Sequence, residues 1–129
     1  MKRGAITIEP NRITVALSPE GTVCMTAEEI ASIFHVTAAR IEWHINKIFA
    51  EHELDENEVR TKQVKIHGGK QYLVEYYNLD MIIALCFRID SYPSKAFRQW
   101  IREQIVRSLK TKPIAPIILQ IRTQAGGVN

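Results

Sequence analysis

Residues 26–49, TAEEIASIFHVTAARIEWHINKIF, spell two short helices with a tight break between them, and the rest of the chain is read outward from that pair. Thr26 and Glu29 have the T-x-x-E spacing of a capping box, and Met25 and Ile30 stand where its hydrophobic staple belongs. Ile30, Ile33 and Phe34 follow at helical spacing and give the first helix one apolar face. His35-Val36 interrupts the pattern, and Thr37 is a suitable second N-cap. Ile41, Ile45, Ile48 and Phe49 then repeat the inward face. Two amphipathic helices joined by a three- or four-residue turn are the helix-turn-helix arrangement, whose second helix can enter the major groove of DNA. Small helical domains of other kinds also contain such pairs, so the outward residues must be weighed separately.

Those outward residues are Ala39, Arg40, Glu42, Trp43, Asn46 and Lys47. Arg40 has the chemistry to read guanine and Asn46 to read adenine, each bidentately, while Ala39 suits a thymine methyl. Glu42 repels phosphates but can accept from a cytosine amino group. Trp43 is awkward in a groove and better suited to a protein interface. With Thr37, the candidate DNA contacts on this helix are Ala39, Arg40, Trp43, Asn46 and Lys47.

Residues 60–77, RTKQVKIHGGKQYLVEYY, read as a β-hairpin closed by Gly68-Gly69, since a type I′ turn needs positive φ at both central positions. That register places Ile66 opposite Gln71, Val64 opposite Leu73 and Lys62 opposite Glu75, all on the more apolar face. The other face carries Gln63, Lys65, His67, Lys70 and Tyr72. Helices followed by a basic hairpin have the order of a winged helix, in which the wing touches phosphates. This makes Lys65, His67, Lys70 and Tyr72 candidate DNA contacts; the simpler alternative is an exposed hairpin with lysines for solubility.

The flanking segments complete an α+β reading: a winged helix-turn-helix-like domain over 1–112, with about four helices, an N-terminal β-meander and the basic hairpin. Strand-like alternation over 5–8 and 13–17 is separated by a Pro10-Asn11 turn, and Thr22–Met25 reads as a third short strand. Asn78 is placed to cap LDMIIALCFRI, which is apolar on nearly all sides. Ser91 is placed to cap a fourth helix, with Pro93 tolerated in its first turn. Phe97, Trp100, Ile101, Gln104 and Ile105 form one side of it. Lys95, Arg98, Gln99 and Arg102 form the other, making Lys95, Arg98 and Arg102 candidate phosphate contacts. Residues 113–129 form an apolar tail, with helix continuation barred by Pro113 and Pro116. It offers a route to a homodimer or a return to a sheet edge, and its last five residues are expected to fray.

Composition bounds the chemistry. Of 129 residues, 46% are apolar, ordinary for a globular chain that buries roughly two-thirds of its unfolded surface. The start MKRGAITIEP lacks the apolar run of a signal peptide, no stretch approaches a membrane span, and Cys24 and Cys86 form no C-x-x-C pair. The expectation is a cytoplasmic protein with reduced cysteines and no membrane partner. Residues 1–80 hold 9 Lys and Arg against 12 Asp and Glu, a net of −3; residues 81–129 hold 8 against 2, a net of +6. The acids concentrate in EHELDENEVR, residues 51–60, directly after the second helix. His35, His44, His52 and His67 lack metal-site spacing and read as scattered surface groups, and no phosphate-binding glycine loop is present. Nothing favours an enzyme, a cofactor or a metal.

Three segments, INKIFAEHELDENEV (45–59), KQYLVEYYNLDMIIAL (70–85) and FRIDSYPSKAFRQWI (87–101), resemble the N-terminal region of the RhuM-type virulence-associated proteins of bacteria. The resemblance covers roughly residues 12–110, and YNLDMIIAL together with Ser91, Phe97, Arg98, Gln99 and Trp100 is its most specific part. It implies a DNA-binding module associated with mobile elements or the nucleoid, distantly similar to the N-terminal modules of phage antirepressors, with no assigned chemistry. The chain departs from the family pattern in three places. Cys86-Phe87-Arg88-Ile89 replaces a Gly-Tyr-Arg-Val turn, Tyr92-Pro93 replaces a Lys-Arg pair, and Glu42 and Trp43 lie on a helix face that is usually polar. Many members also carry a longer C-terminal half. Two expectations result: a regulator that binds double-stranded DNA, or a protein-interaction module on the same scaffold using Trp43 and the tail.

Overall fold

The computed structural model describes residues 2–111, which form five helices and two two-stranded antiparallel sheets, an α+β arrangement. Strands β1 (Ala5–Glu9) and β2 (Arg12–Ala16) pair around Pro10-Asn11, with Ala5 opposite Ala16 and Glu9 opposite Arg12. Gly4 precedes them at φ +68°, and a Cβ there would collide with the Ala16 carbonyl oxygen, so the strand ends meet only around glycine. Ile8, Ile13 and Val15 lean on the core that Ile6 enters.

Helix α1 (Ala27–Phe34) begins in the capping box its sequence specifies. The Thr26 hydroxyl accepts from the Glu29 N–H at 3.1 Å, and Glu29 Oε1 accepts from the Thr26 N–H at 2.9 Å. The helix stops because His35 turns left-handed at φ 57°, letting the Val36 N–H donate back to the Ala31 carbonyl at 3.0 Å. Thr37 then caps α2 (Ala38–Ala50), its hydroxyl accepting from the Arg40 N–H at 3.2 Å. Ile41, Ile45 and Ile48 of α2 join Ile30 and Phe34 of α1 in one core.

The Thr22–Met25 segment is not a third strand. Met25 alone bridges to Tyr77, through hydrogen bonds of 2.9 and 2.8 Å. Its neighbours are committed elsewhere: the Cys24 N–H donates to Arg3 and the Thr22 hydroxyl accepts from the Leu79 N–H at 3.1 Å. A chain tied to three partners follows none of them as a ladder. The acidic loop holds a short helix the sequence did not suggest, α3 (Glu56–Val59), started by the Asp55 carboxylate accepting from the Asn57 N–H at 2.9 Å. Acidic side chains in that first turn suit the positive end of the helix.

Strands β3 (Arg60–His67) and β4 (Lys70–Tyr77) pair in the register that Gly68-Gly69 dictates, with Val64 opposite Leu73 and Ile66 opposite Gln71. Both glycines have positive φ. The base of the hairpin is anchored by buried Tyr76 and Tyr77, while residues 64–73 are all exposed. Helix α4 (Leu79–Cys86) is capped by Asn78 Oδ1 at 3.2 Å and is shorter than its apolar run, the chain turning at Phe87. Met81, Ile82, Leu85 and Cys86 are buried in the centre. Helix α5 (Tyr92–Thr111) starts where Ser91 and Ser94 cap each other reciprocally at 3.2 Å. Phe97 anchors it between Phe34 (ring centroids 5.9 Å) and Trp100 (5.8 Å, stacked). The apolar tail, its fraying end and a homodimer formed through it lie outside the described residues.

Candidate nucleic-acid interface

All six outward positions of α2, from Ala39 to Lys47, are exposed, as are Thr37 before it and Lys65, His67, Lys70 and Tyr72 on the hairpin. Trp43 stands in the middle of the α2 face with 59% of its surface open. The Lys47 ammonium lies 5.9 Å from the Trp43 ring and 3.7 Å from Glu51, one turn on. On the hairpin, Lys65 and Arg3 flank the Tyr76 ring at 6.0 and 5.0 Å, and the Tyr72 hydroxyl donates to the His67 carbonyl at 3.3 Å.

The acidic loop is restrained by two arginines that the sequence alone does not single out. Arg88 donates to Glu51 at 2.6 Å and to Glu53 at 2.7 Å. Arg60 pairs with Glu56 and, at 3.0 Å, with Glu75. The Arg88 hydrogen bond holds the Glu51 carboxyl below its ordinary range. Among the described residues, Arg40, Lys62, Lys65 and Lys70 make no ion pair. Glu51, Glu53 and Glu56 of the loop are thus paired within the fold, while four exposed cations on α2 and the hairpin are not.

The basic face of α5 divides. Arg98 is part-buried and donates to the Cys86 carbonyl at 2.5 Å and the Ile89 carbonyl at 2.9 Å, satisfying the C-terminal end of α4. Lys95 reaches Asp90 at 3.6 Å, and Arg102 remains exposed and without an ion pair among the described residues. Helix α5 contacts α1, α4 and β1. Lys62 was missed as a candidate because the alternation assigned it to the apolar face with Val64.

That apolar face is uncovered: Val64, Ile66 and Leu73 are 63, 72 and 60% exposed. At its root, Leu73 and Glu75 of β4, Glu28 of α1 and Glu42 of α2 line a shallow groove. His44 is not the plain surface group its spacing suggested. It is half-buried, its Nδ1 is enclosed without a hydrogen-bond partner, and burial together with Arg40 and Arg88 pushes its pKa down. His35, His52 and His67 are exposed. Both cysteines are free, and burial pushes Cys86 up to about 12. Among the described residues no His, Cys, Asp and Glu gather in threes as metal ligands would, and no helix is long and apolar enough to cross a membrane. No protein-family model, curated protein or solved structure matches the chain.

Proposed function

We propose that the chain is a non-enzymatic DNA-binding regulator with a winged helix-turn-helix, in which α1 and α2 form the helix pair and β3–β4 the wing. The observation that carries this reading is the sorting of charge. Arg88 and Arg60 take up Glu51, Glu53 and Glu56 of the acidic loop, while exposed Arg40 on α2 and exposed Lys62, Lys65 and Lys70 on the hairpin make no ion pair among the described residues. Unpaired cations at exposed positions are what a phosphate backbone recruits. The resemblance to the RhuM-type proteins points the same way. Arg40 and Asn46 are the base-reading candidates and Lys62, Lys65 and Lys70 the phosphate contacts.

Lys65→Glu combined with Lys70→Glu tests the reading, with binding to a random duplex followed by fluorescence anisotropy at low salt. Loss of binding in a variant that keeps its circular dichroism spectrum supports it; unchanged binding contradicts the wing's role. A protein-interaction module is the second reading, favoured by exposed Trp43 and by the uncovered face of Val64, Ile66 and Leu73. On that reading the lysine reversals leave partner binding intact, whereas Trp43→Ala removes it.

A further inference from the structure

Among the described residues, helix α5 outruns the body it packs on. Phe97 is fully buried and Trp100 and Ile101 half-buried, but from Arg102 to Thr111 every residue except Gln104 is exposed. A free helical segment of this length is marginal in water unless a packed face supports it. The segment carries such a face: Ile101, Ile105 and Leu109 recur every fourth residue, with Ile105 and Leu109 still 55 and 49% exposed. Residues four apart form one of the ridges by which helices interlock.

We propose that this ridge is the contact between two copies of the chain, with their α5 helices antiparallel about a two-fold axis at Ile105. The ridge is self-complementary about that point, as a two-fold contact must be. Ile105 of one copy meets Ile105 of the other, and Ile101 meets Leu109. The charges fit as well. Arg102, the cation nearest the ridge on the free segment, falls opposite Ser108 of the second copy, so no like charges approach. Moving the axis to Ile101 would centre the contact on a residue that already packs against its own core.

Packing along four-residue ridges crosses the helices at roughly −50°, which carries the two bodies apart on either side of the contact. The ridge spans only about 12 Å, so the interface belongs to the small, reversible class below roughly 1,200 Å². Association on the order of micromolar is expected. The proposal stands independently of DNA binding, but it would give a DNA-binding chain two copies of α2 for two half-sites.

Single cysteines in the full chain, in a Cys24→Ser background, read the register directly. Ile105→Cys should form a disulfide dimer on mild oxidation, since on the axis each cysteine faces its own copy. Ile101→Cys and Leu109→Cys should each fail to cross-link alone yet cross-link when mixed. Self-cross-linking of all three means parallel helices, and none at all means the faces do not meet; either overturns the proposal. Sedimentation velocity gives a second check. Ile105→Lys should be monomeric at concentrations where the wild type dimerises, and mixing it with Ile105→Glu should restore the dimer. A wild type that stays monomeric to hundreds of micromolar, or an Ile105→Lys variant that dimerises normally, contradicts it.

Discussion

Arg98 and Arg102 lie one turn apart on α5 and look equivalent in the sequence, yet only Arg102 is exposed. Arg98 is held at 2.5 Å by the Cys86 carbonyl at the end of α4 and at 2.9 Å by the Ile89 carbonyl just beyond it, a role set by tertiary packing and invisible to helical periodicity. Hydrogen bonds to a charged group contribute about 1.5–3 kcal/mol, so Arg98→Ala should lower urea stability by that order while Arg102→Ala should not. The contrast with Thr26 and Glu29 is instructive. Their capping box was legible because both partners sit within one turn, whereas the bidentate bond from Arg3 to Glu29 at 2.6 and 3.0 Å was not. That bond, opposed in part by burial, leaves the Glu29 pKa below its ordinary value. A depressed folded-state pKa means stability that is present above the ordinary carboxylate range and lost as pH falls through the folded value. Thermal stability should therefore decline as the solution is acidified below that range, and Glu29→Gln should flatten that decline. An unchanged acid profile in Glu29→Gln would remove the carboxylate from this role.

At the scale of elements, the pieces with local signals came through and those held by distant contacts did not. The Gly68-Gly69 turn fixed the hairpin register, Thr37 and Asn78 marked two helix starts, and the isoleucine spacing marked the inner face of α2. The Thr22–Met25 segment looked like a strand because its residues favour one, but its hydrogen bonds go to Arg3, Tyr77 and Leu79. Helix α3 was missed because three acidic and polar residues and a single valine carry no apolar period. The hairpin should also separate stability from the proposed binding. No side chain from Val64 to Leu73 is buried, so strain there should barely touch global unfolding. Gly68→Val places a branched residue at φ +61°, where the left-handed conformation costs roughly 1–2 kcal/mol. Amides of residues 64–73 should exchange faster and DNA affinity should fall several-fold, with the overall melting temperature nearly unchanged. Thr37→Ala should instead cost about 0.5–2 kcal/mol of folding stability through a lost cap.

For the molecule as a whole, the sequence made the charge distribution look unfavourable for DNA, with an acidic run directly after the second helix. Folding changes that reading, because Arg88 returns from beyond α4 to bind Glu51 and Glu53, and Arg60 at the end of the run binds Glu56. Arg88→Gln should leave Glu53 unmatched and Glu51 with Lys47 alone near the end of α2, and weaken DNA binding without altering the fold, measurable by anisotropy beside a circular dichroism control. The central claim is that Lys62, Lys65 and Lys70, which make no ion pair among the described residues, meet phosphates. It is tested most directly by titrating the full chain into random duplex DNA across a salt series. About three phosphate contacts per copy predict a linear fall of log K with log salt, with a slope near −2.7. Binding absent at about 50 mM salt, where such contacts are strongest, or binding indifferent to salt, would contradict the account.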